Sequence, residues 1–236
     1  MSDADDLDAL IRRVDPDRWL ASRFVADASA RADLVALYAF NNELARAVEV
    51  ASQPLVAEIR LAWWREALDE MFEGRPLRRH PVAEALAEAV GRRGLARGTL
   101  EGLIDARLRD LDGWPLQLAE AEAYIDSTAG ALMAAAARVL DPASDPDAFR
   151  HAAQAWGLAG LRRVGGRLPA DWSAAELTDR IGRALRQANM QLRSQPVAVF
   201  PAAAYACLSR GYATRAEMSE LGKRLRVTWA VARGRV

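Results

Sequence analysis

The sequence contains a single cysteine, Cys207, and only two histidines, His80 and His151. A lone cysteine excludes an internal disulfide and indicates a reducing compartment. The histidines lie far apart in sequence without metal-ligand spacing, which argues against a zinc site or a serine–histidine–aspartate triad. Lysine is also scarce, since Lys223 is the only one among the 32 basic residues. GC-rich coding explains this abundance of arginine more simply than phosphate recognition does.

Long apolar runs and an excess of charge of one sign are missing too. The longest mostly apolar stretches, residues 129–137 and 197–208, are too short to span a bilayer, and Pro201 interrupts the second. The N-terminal segment MSDADDLDAL is acidic and lacks the pattern of a signal peptide. These features predict a cytoplasmic location. The 32 acidic residues balance the 32 basic ones, and there is no recognised DNA- or RNA-binding motif, so we expect no nucleic-acid partner.

Segments of strand length with alternating polarity are absent, as are fixed-period repeats and low-complexity tracts. The composition, 51% hydrophobic and 27% charged, is that of an ordinary globular protein. The 236 residues suffice for one sizeable domain and are few for two. The sequence therefore predicts an all-α fold with a single domain over residues 1–236.

Helical periodicity and capping residues divide this domain into segments. Asp15 and Pro16 are typical of a helix start, and Ser173 with Glu176 has the spacing of a capping box. Thr214 and Glu217 have the same spacing. The predicted helices cover residues 3–14, from 16 through Val25, 33–68 with one break at residues 52–54, 81–92, 99–111, 119–140, 149–164, 173–192, a short piece within 196–210, and 214–233.

The segment over residues 33–68 is the most informative one. An apolar face recurs at three- and four-residue steps, and polar residues that include Asn41, Asn42, Arg46 and Glu49 cluster on adjoining positions. Tyr38 lies one turn before Asn42. Because buried amides must find hydrogen-bond partners, this cluster indicates either a pocket wall or a satisfied polar seam between helices. The pattern alone leaves both interpretations open.

The motifs ALYAFNNELARA and EIRLAWWREAL, followed by His80-Pro81, resemble the start of the squalene/phytoene synthase family. Tyr124 with Thr128-Ala129-Gly130 is similar to a family helix that lines the catalytic cavity. The resemblance covers about residues 16–208 and is strongest over residues 33–68. It implies the isoprenoid synthase fold, a helical bundle around a central cavity. The residues that it implies as substrate-pocket candidates are Tyr38, Asn42, Arg46, Glu49, Tyr124, Thr128, Gly130, Arg162 and Arg163.

The chain departs from the family at both aspartate-rich motifs. The first motif, which in the enzymes holds magnesium and substrate diphosphate, falls here on Ala45, Arg46 and Glu49. In the second, an aspartate position falls on Arg163, and further acids are missing before a landmark at residues 166–169. We expect Arg46 and Arg163 to face each other across the cavity and to oppose a divalent cation. The same arginines could bind a diphosphate directly, or simply pair with acids such as Glu49.

Two functional hypotheses follow from the resemblance. The chain looks closest to the branch that contains mitochondrial complex I assembly factors, which implies a non-catalytic or isoprenoid-binding scaffold with protein partners in respiratory complex assembly. The alternative is an active prenyltransferase that condenses two prenyl diphosphates head to head, with magnesium as its cofactor. The first hypothesis assigns no catalytic residue, no metal ligand and no cofactor. Both allow a prenyl diphosphate or an isoprenoid lipid as ligand.

The terminal segment, residues 214–233, combines apolar spacing with a positive excess. Its predicted apolar stripe consists of Met218, Leu221, Leu225, Thr228, Trp229 and Ala232, and its basic residues include Lys223, Arg224 and Arg226. A basic amphipathic helix of this kind suits peripheral contact with an anionic membrane or an acidic partner. A final helix that packs on the bundle and exposes its arginines is the alternative. Under the first interpretation, the predicted cytoplasmic protein would bind peripherally at the inner membrane face.

Overall fold

The computed structural model describes residues 3–113, 117–164, 172–214 and 218–236. Helices account for 82% of the structure, and the described residues contain no strand, which confirms the all-α prediction. The helices are α1 (Asp3–Val14), α2 (Pro16–Ser22), α3 (Ala28–Glu49), α4 (Pro54–Phe72), α5 (Pro81–Arg93), α6 (Arg97–Leu108), α7 (Leu118–Ile125), α8 (Ala131–Leu140), α9 (Arg150–Val164), α10 (Ala174–Gln191), α11 (Ser209–Ala213) and α12 (Glu220–Arg233).

Helix α3 lies at the centre of the bundle. It packs against α1, α4, α5, α6 and α8, and the segment from Leu34 to Phe40 is buried on all sides. A helix that is apolar all round is stable only when neighbours surround it. Helix α9 occupies the corresponding place in the second half, packed against α10 and α11. One connected apolar cluster runs from Leu7 in α1 to Ala230 in α12.

Local capping chemistry sets several helix starts where the sequence predicts them. The Asp15 carboxylate accepts a hydrogen bond from the Arg18 backbone N–H, and Pro16 follows as the first helical residue. At α10 the Glu176 backbone N–H donates to the Ser173 hydroxyl, and the Glu176 carboxylate accepts from the Ser173 N–H. The predicted break at residues 52–54 separates α3 from α4. These predictions are confirmed.

The single helix predicted over residues 119–140 is wrong in its middle. A π-helical turn, Asp126–Gly130, separates α7 from α8. The hydroxyls of Ser127 and Thr128 donate to the Tyr124 carbonyl at 3.1 and 2.6 Å, which satisfies an acceptor that the regular α-helical bond would otherwise use. Such a turn widens the helix where it faces a cavity.

Two further boundaries differ from the prediction. Residues 196–210 form two consecutive 3₁₀ helices, Val197–Ala202 and Ala204–Leu208, because Pro201 lacks the N–H of a regular helix. Thr214 ends α11 rather than capping the terminal helix, and its hydroxyl lies 3.0 Å from the Gly211 carbonyl. Helix α12 instead begins at Glu220, capped by the Ser219 hydroxyl. Glu217, the other half of the predicted box, lies outside the described residues, as does the landmark at residues 166–169.

In the described chain, no helix combines the length and the apolar character that crossing a bilayer would need.

Candidate functional site

A cavity of about 470 Å³ opens at the centre of the bundle. Its volume is within the range of about 300–1,000 Å³ that small-molecule sites occupy. Residues of α3 and α9 contribute most of the lining, and the rest comes from α6, the α7–π turn–α8 unit, α11 and the junction of α1 and α2. The lining mixes small and aromatic side chains with ionic ones, so the cavity suits a ligand with an apolar part and a charged part.

Five of the candidate residues predicted from the sequence line this cavity: Asn42, Glu49, Tyr124, Thr128 and Arg163. They come from three segments that are distant in sequence, α3, the unit of α7 and the π turn, and the end of α9, so only the tertiary packing brings them together. Their roles toward a ligand stay a prediction.

Tyr38 lies behind the cavity wall and does not line it. Its side chain is 1% exposed, and its hydroxyl has no hydrogen-bond partner among the described residues. Burial raises the pKa of this hydroxyl well above its usual value, and the negative charge that Tyr205 would carry adds to the effect. Tyr38 therefore contacts the cavity lining only indirectly, through Arg18, whose guanidinium lies 5.8 Å from the Tyr38 ring.

Arg46 faces away from the cavity, so the expectation that it faces Arg163 across the cavity is wrong. Ala45 and Glu49, four residues apart, both line the cavity, whereas Arg46 is turned by about 100° along the helix. Arg46 lines a separate outer groove with Trp63 and His80, between α3 and α4. The family position that it occupies therefore contributes no positive charge to the cavity.

Gly130 and Arg162 are the remaining candidates, and neither lines the cavity. A Cβ at Gly130 would lie 3.5 Å from the Ile125 carbonyl oxygen, an ordinary van der Waals contact, so the packing at the end of the π turn does not require glycine. Arg162 is half-buried on another face of α9, one residue away from Arg163.

The cavity contains a cation that the sequence analysis did not single out, Arg18 of α2. Its guanidinium lies 5.0 Å from the ring of Tyr205, 5.6 Å from that of Trp156 and 5.8 Å from that of Tyr38. Asp15 binds the guanidinium at 2.5 Å. Burial by itself would lower the pKa of Arg18, but the Asp15 charge and the contact with Tyr205 outweigh it and raise the pKa. Arg18 thus occupies an aromatic cage as a fixed cation.

A second network joins α3, α6 and α7 at the cavity wall. The Arg107 guanidinium donates to the Asn41 amide oxygen at 3.1 Å and to the Tyr124 hydroxyl at 3.4 Å. The Tyr124 hydroxyl donates in turn to Asp110 at 2.8 Å, and Arg107 lies 3.5 Å from the same carboxylate. Both asparagines line the cavity, and Asn41 is in addition part of a satisfied polar seam. The two interpretations of this pair therefore do not exclude each other.

The third charged cluster centres on Asp17, whose side chain is 3% exposed. Its carboxylate accepts a hydrogen bond from the Tyr212 hydroxyl and lies 3.8 Å from Arg163 and 3.5 Å from Lys223. The Arg163 guanidinium stacks over the Tyr212 ring at 4.2 Å. Burial, and then the hydrogen bond to Asp17, raises the pKa of Tyr212 to about 12. Arg163 is therefore partnered at the cavity edge by an acid from α2, not by Glu49.

Sequence reasoning missed Arg18, Arg107, Asp17 and Tyr212. Arg18 and Asp17 lie in the segment PDRWLASRFV, which resembles the opening of the family, and that resemblance was a signal that could have pointed to them. Arg107 and Tyr212 lie in segments with no motif, and only the fold places them at the cavity.

The side chains at the cavity do not fit a magnesium ion. Magnesium prefers several oxygen ligands in octahedral geometry. Among the residues that the structure describes, the carboxylates that line the cavity are Asp15, which is already bound by Arg18, and Glu49, which stands four residues after Ala45. In residues 3–113, 117–164, 172–214 and 218–236, no three His, Cys, Asp or Glu side chains form a group that could hold a metal.

Comparison with solved structures shows the same fold at low sequence identity. A dehydrosqualene synthase crystallised in complex with a ligand has a TM-score of 0.81 at 13% identity, over 98% of this chain and 96% of that one. Squalene synthase HpnC from Alicyclobacillus acidocaldarius has a TM-score of 0.72 at 17% identity, over 98% and 94%. The predicted isoprenoid synthase fold is therefore confirmed.

Among curated proteins, the chain is similar to NADH dehydrogenase (ubiquinone) complex I, assembly factor 6. The rat protein is 33% identical over 125 residues, which is 52% of this chain and 37% of the rat protein. The human protein is 30% identical over the same shares, and the Drosophila melanogaster homolog is 30% identical over 53% of this chain and 39% of its own length. The matched segment thus covers well under half of each relative.

The sequence profile described as squalene/phytoene synthase matches residues 11–163, well over half of the chain. This region contains α3, the π turn and most of α9, which form the cavity walls. The chain therefore belongs to the squalene/phytoene synthase family.

Proposed function

We propose that this protein is a non-catalytic member of the family that assists assembly of a respiratory NADH dehydrogenase complex. The relatives that share about a third of the matched residues bear the name of complex I assembly factor 6. The observation that carries the proposal is the charge of the cavity. Where the family resemblance places a metal-binding aspartate motif, Ala45 and Glu49 face the cavity, and Arg18, Arg107 and Arg163 line it as well.

The catalytic step that we expect this protein not to perform is the ionisation of a prenyl diphosphate. That reaction requires magnesium to stabilise the departing diphosphate, and carboxylates to hold the magnesium. Of the carboxylates that line the cavity among the described residues, Asp15 is bound to Arg18 and only Glu49 remains, so the cavity lacks the set of free carboxylates that would hold a divalent cation. The Arg18 guanidinium also occupies the aromatic cage of Tyr38, Trp156 and Tyr205, and aromatic faces of this kind would otherwise be free to stabilise a carbocation.

The cavity is nevertheless suited to bind an isoprenoid ligand without reacting it. Apolar surface from Leu132, Leu161 and Trp156 lies beside Arg163 and Arg107. Guanidinium groups pair directly with phosphate oxygens and need no metal. A bound prenyl diphosphate or isoprenoid lipid would stabilise the scaffold by mass action. We place this function on the cytoplasmic side of the membrane that contains the complex.

The test combines chemistry with genetics. Purified protein is incubated with magnesium and farnesyl or geranylgeranyl diphosphate, and the organic extract is analysed for any condensed product. We expect none. In the source organism, deletion of the gene should lower the amount of assembled NADH dehydrogenase on native gels. The wild-type chain and Glu49→Ala should restore it equally, because the scaffold does not need the remaining carboxylate of the motif.

An active head-to-head prenyltransferase is the second candidate, favoured by the likeness to a dehydrosqualene synthase over nearly the whole chain. It predicts a squalene- or phytoene-like product that Glu49→Ala abolishes. A product together with normal NADH dehydrogenase in the deletion strain would replace the first proposal by the second.

A further inference from the structure

Helix α12 exposes the predicted apolar stripe except for Met218, which lies before the helix and packs against the core. Leu221, Leu225 and Trp229, spaced by one helical turn, are 67%, 62% and 60% exposed. Thr228 and Ala232, on the same side, are exposed as well. Val227 and Ala230, on the opposite side, are the buried residues of this helix. The helix therefore packs on the bundle and leaves its arginines exposed, but it does so through the face opposite to the apolar stripe, which stays uncovered.

Arginines border the stripe on both sides. At about 100° per residue, Arg226 and Arg233 follow one edge of the stripe and Arg224 the other, and all three are exposed. The Arg233 guanidinium lies 4.1 Å from the ring of Trp229. Glu220 is the only acidic residue in 218–236, and it binds Lys223 at 3.1 Å. The exposed face thus combines apolar and positive character.

The helix is held rigidly in this orientation. The Lys223 ammonium points into the body, 3.5 Å from the Asp17 carboxylate. At the other end, the Asn189 side chain forms two hydrogen bonds of 2.9 Å with the backbone of Val236. Gly234, with φ of +61°, closes the helix. The stripe is therefore fixed outward, and Lys223 does not belong to its basic edge, contrary to its place among the predicted surface residues.

We infer that α12 is a docking surface for an anionic lipid bilayer. A helix that lies in the membrane interface buries an apolar stripe below the headgroups while arginines on both edges reach up to the phosphates. Tryptophan prefers the same depth. Positive charge on both edges matches a plane of anionic headgroups that surrounds the helix, whereas an acidic protein partner needs charge only where its own carboxylates lie. This inference does not depend on the proposed function.

The test uses the full-length protein and two kinds of vesicle, phosphatidylcholine alone and phosphatidylcholine mixed with phosphatidylglycerol. We expect co-sedimentation with the mixed vesicles only, and its loss when salt shortens the Debye length to about 3 Å. Each arginine near the surface contributes about fivefold to binding, so Arg224→Glu, Arg226→Glu and Arg233→Glu together should weaken binding on the order of 100-fold. The charge-matched control is Arg60→Glu, Arg79→Glu and Arg193→Glu, three exposed arginines elsewhere.

A second set of variants tests the apolar stripe. Leu221→Ser, Leu225→Ser and Trp229→Ser should abolish binding, whereas Leu55→Ser with Ile59→Ser, equally exposed and also four residues apart on α4, should leave it unchanged. Lipids brominated in their acyl chains should quench the protein's tryptophan fluorescence, and Trp229→Phe should remove most of that quenching. Circular dichroism of each variant checks that it is folded.

Three outcomes would overturn the inference. Equal binding to neutral and anionic vesicles would exclude a role for the arginines. Equal loss of binding in the α12 variants and their controls would exclude this helix as the site. Binding to soluble poly-glutamate that is as salt-sensitive as vesicle binding, without quenching by brominated lipid, would identify an acidic polypeptide as the partner instead.

Discussion

The Lys223 ammonium lies 3.5 Å from the Asp17 carboxylate and joins α12 to α2 across almost the whole sequence. Asp17 is 3% exposed, and its other contacts are the Tyr212 hydroxyl and Arg163, both at the cavity. One buried carboxylate thus connects the terminal helix, the second helix and the cavity edge. Its position gives the helix with the exposed stripe a direct contact with the residues that line the site.

Removal of this carboxylate should destabilise the fold. Asp17→Ala leaves Lys223 without its buried partner and Tyr212 without its acceptor, so we expect a loss of roughly 3 kcal/mol in the free energy of unfolding. Urea denaturation measures it. The control is Asp179→Ala, which removes an exposed i,i+4 pair with Arg183 on α10 and should cost less than about 0.5 kcal/mol. Similar losses in the two variants would contradict a structural role for Asp17.

Two glycines of α9 provide a matched pair at the cavity wall. A Cβ at Gly157 would lie 2.5 Å from Cγ2 of Ile125, whereas a Cβ at Gly160 has no neighbour within 4 Å. Gly157→Ala should therefore lower the free energy of unfolding by about 1–3 kcal/mol through overpacking against α7. Gly160→Ala should be neutral or stabilising by up to about 1 kcal/mol, because alanine favours the helix. Chemical denaturation of both variants distinguishes packing from helix propensity, and an equal effect would argue against the close approach of α7 and α9.

The stability of the protein should fall at acid pH through Glu70. Hydrogen bonds from Arg78, the nearest of them 2.7 Å long, lower the pKa of this carboxyl to about 2 from its ordinary 4.5. The folded state therefore releases the proton more readily than the unfolded state does, so Glu70 stabilises the fold above about pH 4.5. This contribution is lost as pH falls from 4.5 towards 2.

Melting temperatures measured across this pH range test the assignment. Glu70→Gln should lower the melting temperature at neutral pH and flatten its decline in acid. Glu58→Gln, which changes an exposed glutamate on the same helix, should preserve the decline. If the melting temperature of Glu70→Gln declined in acid as steeply as that of the wild type, the Glu70–Arg78 interaction would not be the source of the acid sensitivity.

The composition of the cavity predicts no magnesium site. We expect calorimetry to detect no saturable magnesium binding at millimolar concentrations, since Ala45 replaces a carboxylate and Arg18 neutralises Asp15. The measurement is made with and without inorganic diphosphate, because the arginines should bind diphosphate alone. A stoichiometric magnesium site that Glu49→Ala abolishes would refute this prediction and favour the enzyme hypothesis.

The sequence by itself determined the helices whose ends depend on local chemistry. The Asp15–Pro16 start, the Ser173–Glu176 capping box and the break at residues 52–54 depend on residues a few positions apart, so the sequence alone could predict them. The absence of strand-length alternating segments determined the all-α class, and the family resemblance implied the isoprenoid synthase fold and brought Asn42, Glu49, Tyr124, Thr128 and Arg163 into consideration. Each of these five lines the cavity.

The tertiary structure alone decided which charged residues face the cavity and which face of α12 is buried. A helical pattern identifies faces, but only the neighbouring helices decide which face meets the core. Arg46 turns outward, while Arg18 enters an aromatic cage built by α3, α9 and a 3₁₀ helix. Likewise, the body covers Val227 and leaves Leu225 and Trp229 in solvent, because Lys223 and Asn189 fix the rotation of α12 through contacts distant in sequence.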